Sequence, residues 1–163
     1  EVSVIAANTS VPLSGFKVTR VTTHNQLRAE LSNTECDLLV MAAAVSDFTV
    51  EAHPGKLSRE TSQQIKLIPT EDIVAGFKQA HPGTFVLAFS VADSGNDWIQ
   101  TAIEKSISKR VDAVFANTEK AFDSDVTEAV LVTDTQTELS GTKQDVANQA
   151  VSHIADSLKA NFK

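Results

Sequence analysis

Asp37-Leu38-Leu39-Val40-Met41-Ala42-Ala43-Ala44-Val45-Ser46-Asp47-Phe48 is the stretch whose reading decides the fold. An acid bounds a run that carries no polar residue from Leu38 to Val45. Such a run fits a strand covered on both faces, as in a parallel sheet between two layers of helices. The run narrows to three alanines. Small side chains at the carboxyl end of a buried strand let something approach the backbone, and in open α/β sheets ligands bind at that end. Asp47 follows at once, an acceptor at the mouth of the crevice. The pattern leaves two readings open. The alanines are either a ledge for a ligand or the seat of a tightly packed helix, and Asp47 either faces that ligand or caps a turn.

Outward from this stretch the chain alternates strand and helix patterns. Upstream, Val2 to Ala7 reads as a short strand and Asn8 to Gly15 as turns. Phe16 to Val21 alternates apolar and polar residues, as a half-buried edge strand does. Thr23 and Gln26 form a capping box before a helix that puts Leu27 and Leu31 on one face. Downstream, residues 49–66 are polar, with a Pro54-Gly55 turn signal and no helical stripe. A long irregular connection in a compact domain is either a functional lid or a solvated surface loop. Read as a lid, it is a flap carrying Lys56. Ile65 to Ile68 restores a strand, and Pro69 to Val74 opens a helix with Thr70 as N-cap. Glu71 and Asp72 suit the positive end of its dipole, and Val74 and Phe77 face the core.

His81-Pro82-Gly83 ends that helix. Thr84 to Ser90 is a second buried strand, closing on small residues plus Phe89. Asn96 or Asp97 starts the next helix, whose apolar stripe is Ile99, Ala102, Ile103 and Ile107. Lys105 and Lys109 share a face, either reaching the crevice or forming a solvated pair near a helix C-terminus. Val111 to Asn117 is a third buried strand. Ala129 to Val132 and Thr137 to Leu139 pair as a hairpin, and Thr142 with Asp145 caps a last helix. The stripe of that helix is Val146, Ala147, Ala150, Val151, Ile154 and Leu158. The pattern predicts an α/β, three-layer, Rossmann-like fold with a mostly parallel sheet and a C-terminal hairpin. Residues 1–163 read as a single domain with the flap 49–66 inside it.

Composition removes several classes. A net charge of −7 disfavours a nucleic-acid surface. No apolar run reaches membrane-spanning length and no leader pattern is present, so the chain is expected to be cytoplasmic, without a membrane partner. The single cysteine, Cys36, rules out an internal disulfide and reads as packing. Four scattered histidines form no metal-binding pattern, so no metal ligands are expected among the side chains, and neither GxGxxG nor GxxxxGK[ST] occurs. The chain opens directly on a strand-like run without a starting Met, as the later part of something longer would.

Six segments in order resemble phosphopantothenoylcysteine synthetase (phosphopantothenate–cysteine ligase), of the bacterial CTP-dependent type. They are Ala43-Ala44-Val45-Ser46-Asp47-Phe48, Gly55-Lys56-Leu57-Ser58 and Thr70-Glu71-Asp72-Ile73-Val74, then Ala88-Phe89, then Lys105 with Lys109, then Asp112-Ala113-Val114-Phe115-Ala116-Asn117. The resemblance implies a ligase of coenzyme A biosynthesis. CTP would activate the carboxylate of 4′-phosphopantothenate as an acyl-cytidylate with release of pyrophosphate, and the amine of cysteine would then displace CMP. It further implies that Lys56 is the flap lysine over the intermediate and that Asn117 joins it at the catalytic centre. Met41, Ala42, Ala43, Asp47, Glu71, Asp72, Ile73, Val74 and Phe89 would line the nucleotide pocket, with Lys105 and Lys109 on the triphosphate. Mg²⁺ would bridge the phosphates. A homodimer is implied, and no flavin.

The sequence departs from the family pattern in several places. Leu57-Ser58 replaces a basic run, Ala88 stands where Gly precedes Phe89, and Glu71 stands where Pro is common. The family's N-terminal strand, Gly-rich loop and phosphopantothenate-binding Asn are absent. An open sheet edge is therefore expected unless another chain fills it. The competing readings are a nucleotide-binding α/β module without catalysis and, disfavoured by the missing glycine fingerprint, a flavin or dinucleotide enzyme.

Overall fold

A computed structural model describes residues 1–52, 55, 64–95 and 97–161 of the chain. In order, the elements are β1 (Ser3–Ala7), β2 (Lys17–Val21), α1 (His24–Ser32), β3 (Leu38–Met41), β4 (Phe48–Val50), β5 (Leu67–Pro69) and α2 (Ile73–Ala80). Then come β6 (Phe85–Ala92), α3 (Trp98–Lys109), β7 (Ala113–Thr118), a 3₁₀ turn at Glu119–Ala121, β8 (Val126–Val132), β9 (Gln136–Thr142) and α4 (Lys143–Asn161). The central sheet runs β3-β6-β7-β8-β9. Its first three strands are parallel, with Val40 opposite Leu87 and Ser90 opposite Ala116. The hairpin β8–β9 closes it in antiparallel fashion.

Alternation along β6 shows why there are three layers. Val86 and Ala88 point into one core with Leu27, Leu31, Ile73, Phe77 and Ala102, contributed by α1, α2 and α3. Phe85 and Leu87 point the other way, onto Val146, Ala150 and Ile154 of α4. The parallel crossovers through α2 and α3 both cover the first face, as a single hand of connection requires. The α/β, mostly parallel architecture expected from the pattern is the one observed.

The local signals behave unevenly. Thr23 and Gln26 do form the capping box of α1. Thr142 and Asp145 do the same ahead of α4, with Thr142 Oγ1 2.6 Å from Asp145 Oδ2 and the Asp145 N–H donating to Thr142 Oγ1 at 3.1 Å. At α2 the cap is Asp72, not Thr70. Thr70 is diverted: its hydroxyl donates to the Ser46 carbonyl at 2.7 Å and its N–H to the Asp47 carbonyl at 2.9 Å. Two expected stripes are narrower than their periods suggest. Ile107 is 71% exposed while Ser106 and Lys109 beside it are half-buried, so the covered face of α3 turns past Ile107. Ala147 and Val151 of α4 are also exposed.

The deciding stretch is corrected too. Only Leu38 to Met41 are strand, and Val40 is 49% exposed rather than covered. The reason is that β3 is the edge of its sheet, bonded among the described residues to β6 alone. β1 and β2 form a separate parallel pair that joins the same core through Ile5 and Ala7 without bonding to β3. Beside Val40 a groove of about 450 Å³ opens between the sheet and α4, lined by Leu38, Phe89, Asn117 and Val151 among others. Val151 is left exposed because it faces this groove.

Candidate functional site

The carboxyl ends of β3 and β6 converge with the first turn of α2 and the inward side of α3. Met41 is buried at the end of β3. Ala42 and Ala44 are exposed, and Ala43 is half-buried against the core. Ala42 and Ala44 are thus open to a ligand, while Ala43 turns to the core that the helices share. Thr70 ties the end of this segment to the approach to α2. β4 and β5 pair as the stem from which the intervening tract leaves, with Phe48 opposite Pro69 and Val50 opposite Leu67. Lys56 and most of the expected flap lie outside the described residues.

At the start of α2, Asp72 Oδ1 accepts the Ala75 N–H at 3.1 Å, while Oδ2 pairs with the Lys109 ammonium. Burial works to raise the Asp72 pKa. The hydrogen bonds from Lys109, Ala75 and Val74 and the charge of Lys109 outweigh it, so the carboxyl sits below the usual carboxylate value. Glu71 is gripped from α1: Arg28 Nη1 meets its Oε2 at 2.8 Å, and His24 Nε2 donates to its carbonyl at 2.9 Å. The turn from Glu71 to Val74 is therefore braced on both sides. It presents the N-terminus of a helix, the end that favours anions.

Lys105 lies next to this turn. Its Nζ is 3.0 Å from the Ser90 hydroxyl. Burial, then the charge of Lys109, lowers its pKa from the usual lysine value, and Asp47 and Asp72 only partly oppose this. Asp47, Asp72, Lys105 and Lys109 thus form one cluster on the α3 side of the sheet. Phe89 and Asn117 point to the opposite face. Phe89 stacks obliquely on Phe115 with centroids 5.0 Å apart, and both Phe89 and Asn117 line the apolar groove. Asn117 Oδ1 is buried without a hydrogen-bond donor, the one such side-chain atom among the described residues. The expected site residues therefore divide into a cationic group above one face and an aromatic–amide pair above the other, both near the carboxyl ends of the strands.

Sequence reasoning missed Ser90, His24 and Arg28. Ser90 did carry a signal, a lone hydroxyl within the otherwise apolar β6; the bracing by α1 had none, because it depends on how two helices meet. Cys36 is half-buried, and burial followed by the charge of Asp37 pushes its thiol pKa up, which suits packing and not nucleophilic attack. Asp112, part of the resemblance, is a staple: it accepts from Lys78 Nζ at 2.7 Å and from the Val86 N–H at 2.8 Å.

Residues 1–158 match the family of the DNA/pantothenate metabolism flavoprotein C-terminal domain. A coenzyme A biosynthesis bifunctional protein CoaBC from Thermococcus kodakarensis is 34% identical over 140 residues, 81% of this chain and 34% of that protein. The chain thus spans about a third of the length of that relative. Among solved structures, the DNA/pantothenate metabolism flavoprotein from Streptococcus pneumoniae superposes with TM-score 0.80 at 17% identity, over 94% of this chain and 80% of that one. A Cab2 mutant in complex with phosphopantothenate-cysteine superposes with TM-score 0.68 at 13% identity, over 90% and 55%.

Proposed function

This chain belongs to the DNA/pantothenate metabolism flavoprotein C-terminal domain family, a phosphopantothenoylcysteine synthetase-type domain, and from that premise we propose that it is the nucleotide-binding part of a phosphopantothenate–cysteine ligase using CTP. The observation that carries the reading is the meeting of Lys105, Lys109 and the N-terminal turn of α2 beside the end of β6. The Cab2 structure, which holds phosphopantothenate-cysteine on the same fold, supports it.

The reaction has two displacements. A carboxylate oxygen of 4′-phosphopantothenate attacks the α-phosphorus of CTP and pyrophosphate leaves. The amine of cysteine then attacks the acyl carbon of the acyl-cytidylate, CMP leaves and the amide remains. Negative charge gathers on the phosphates in the first step, so fixed donors and cations aimed there lower the barrier. Lys105 and Lys109 supply the cations, and the positive end of the α2 dipole lies beside them. The open Ala42 and Ala44, with Met41 behind them, let the nucleotide lie against backbone. Phe89, on the opposite face of the sheet, is assigned to the nucleotide on the family resemblance alone. Mg²⁺ accompanying the phosphates would ask the chain for few ligands; Asp47 is the carboxylate that would hold it, and the ion would there neutralise phosphate charge. Asn117 offers an unengaged acceptor to an amine or amide N–H. Lys56 is assigned to the intermediate on the family resemblance alone, and a homodimer and cytoplasmic location on the same ground.

The test begins with calorimetry. The chain is expected to bind CTP with Mg²⁺, and Lys105→Ala to weaken that binding about tenfold to a hundredfold, the worth of one charge-assisted hydrogen bond. Equal affinity in the variant would remove the assigned role. Incubation with CTP, phosphopantothenate and cysteine then separates a ligase, whose turnover disappears in Lys56→Gln, from a module that binds CTP and forms no product.

A further inference from the structure

Strand β6 carries an unexplained polar group. Ser90 is 2% exposed and lies on the face where Val86 and Ala88 pack. A hydroxyl placed there needs a partner, since an unpaired polar group in a dry site is costly. The partner of its Oγ is the Lys105 ammonium, at 3.0 Å. The ammonium can only donate, so the hydroxyl oxygen accepts.

The neighbouring lysine is held differently. Lys109 is paired with the Asp72 carboxylate, which cancels its charge. Ser90 is neutral, so it fixes Lys105 without cancelling anything. A free lysine arm would swing to solvent or collapse onto a carboxylate, and Asp47 and Asp72 both lie close enough to act on Lys105. We propose that Ser90 is a positioning residue: its buried hydroxyl holds the Lys105 ammonium away from Asp47 and Asp72, so that a positive charge with no carboxylate partner among the described residues stands beside the ends of β3 and β6 before any anion arrives. Lys105 is then the resident anion receptor, and Lys109 must leave Asp72 to contribute. The inference rests on the nucleotide site proposed above, and it predicts a dependence on phosphate number.

The experiment compares Ser90→Ala, Ser90→Thr and Lys105→Ala, titrating each with CTP and with CMP by calorimetry. Ser90→Ala removes one oxygen and is expected to weaken CTP fivefold to twentyfold while leaving CMP within twofold. Ser90→Thr, which keeps the hydroxyl, recovers most of the CTP affinity. The alkaline loss of CTP affinity, as Lys105 deprotonates, moves to higher pH in Ser90→Ala, because an ammonium resting on Asp47 or Asp72 holds its proton longer. If Lys105→Ala weakens CTP and Ser90→Ala does not, the positioning role is overturned and the site stands. If Lys105→Ala has no effect either, the site and the inference fall together. If Ser90→Ala weakens CTP and CMP equally, with a lower unfolding midpoint, Ser90 is only structural.

Discussion

Asp72 does two jobs with one carboxylate, and its ionisation links stability to pH. It caps α2 through the Ala75 N–H and holds Lys109. Its folded-state pKa lies below the ordinary carboxylate value. Its contribution is therefore complete above that ordinary value and disappears as pH falls through the lowered one. Urea midpoints measured from pH 7 down to pH 2 are expected to fall less steeply in Asp72→Asn than in the parent chain; parallel curves would deny the linkage. Asp112 is a purer case of a residue that holds parts together. It joins α2, through Lys78, to the backbone of β6, and Lys78 also donates to the Pro82 and Thr84 carbonyls. Removing one partner of a partly buried pair strands the other charge, so Asp112→Ala is expected to cost about 2–4 kcal/mol in denaturant unfolding.

At the scale of elements, the entry to α4 concentrates several local constraints. Gly141 has φ 133°, and a Cβ there would meet the Asp145 Cβ at 3.2 Å. Asp145 is the residue that completes the capping box with Thr142. Thr142→Ala should cost about 1 kcal/mol, the usual worth of a cap. Gly141→Ala should cost more, since it adds backbone strain and displaces the same carboxylate. Chemical unfolding of both variants checks the order; a smaller loss for Gly141→Ala would contradict it. The helix caps and strand alternations were legible in the residues because each depends on neighbours within a few positions. Thr70 was misread for the opposite reason. Its hydroxyl had a choice of partners, and the backbone of Ser46, distant in sequence, won.

For the whole molecule, the open edges of β1 and β3 and the apolar groove beside Val40 matter most. Exposed Val40, Phe122, Val126 and Val151 add to the apolar area a partner or a dye can reach. The chain is expected to bind anilinonaphthalene sulfonate, and Val40→Lys to lower the fluorescence at least about twofold while blunting edge-to-edge association. Light scattering on the same samples reports whether the proposed homodimer forms, and unchanged fluorescence in the variant would show that the groove is not the dye's site.

The residues alone determined the strand–helix alternation, the three-layer class, most caps and the ordered lysine, acid and alanine positions. Periodicity and capping are short-range, and the buried strands β6 and β7 announce themselves in composition. The tertiary structure decided which side chains meet: Lys109 with Asp72, Lys105 with Ser90, and α1 on the Glu71 turn. It also decided that Val40 sits at an edge and that Phe89 and Asn117 look away from the cations. Those outcomes depend on how sheet and helices stack across tens of residues, where no local pattern constrains the choice.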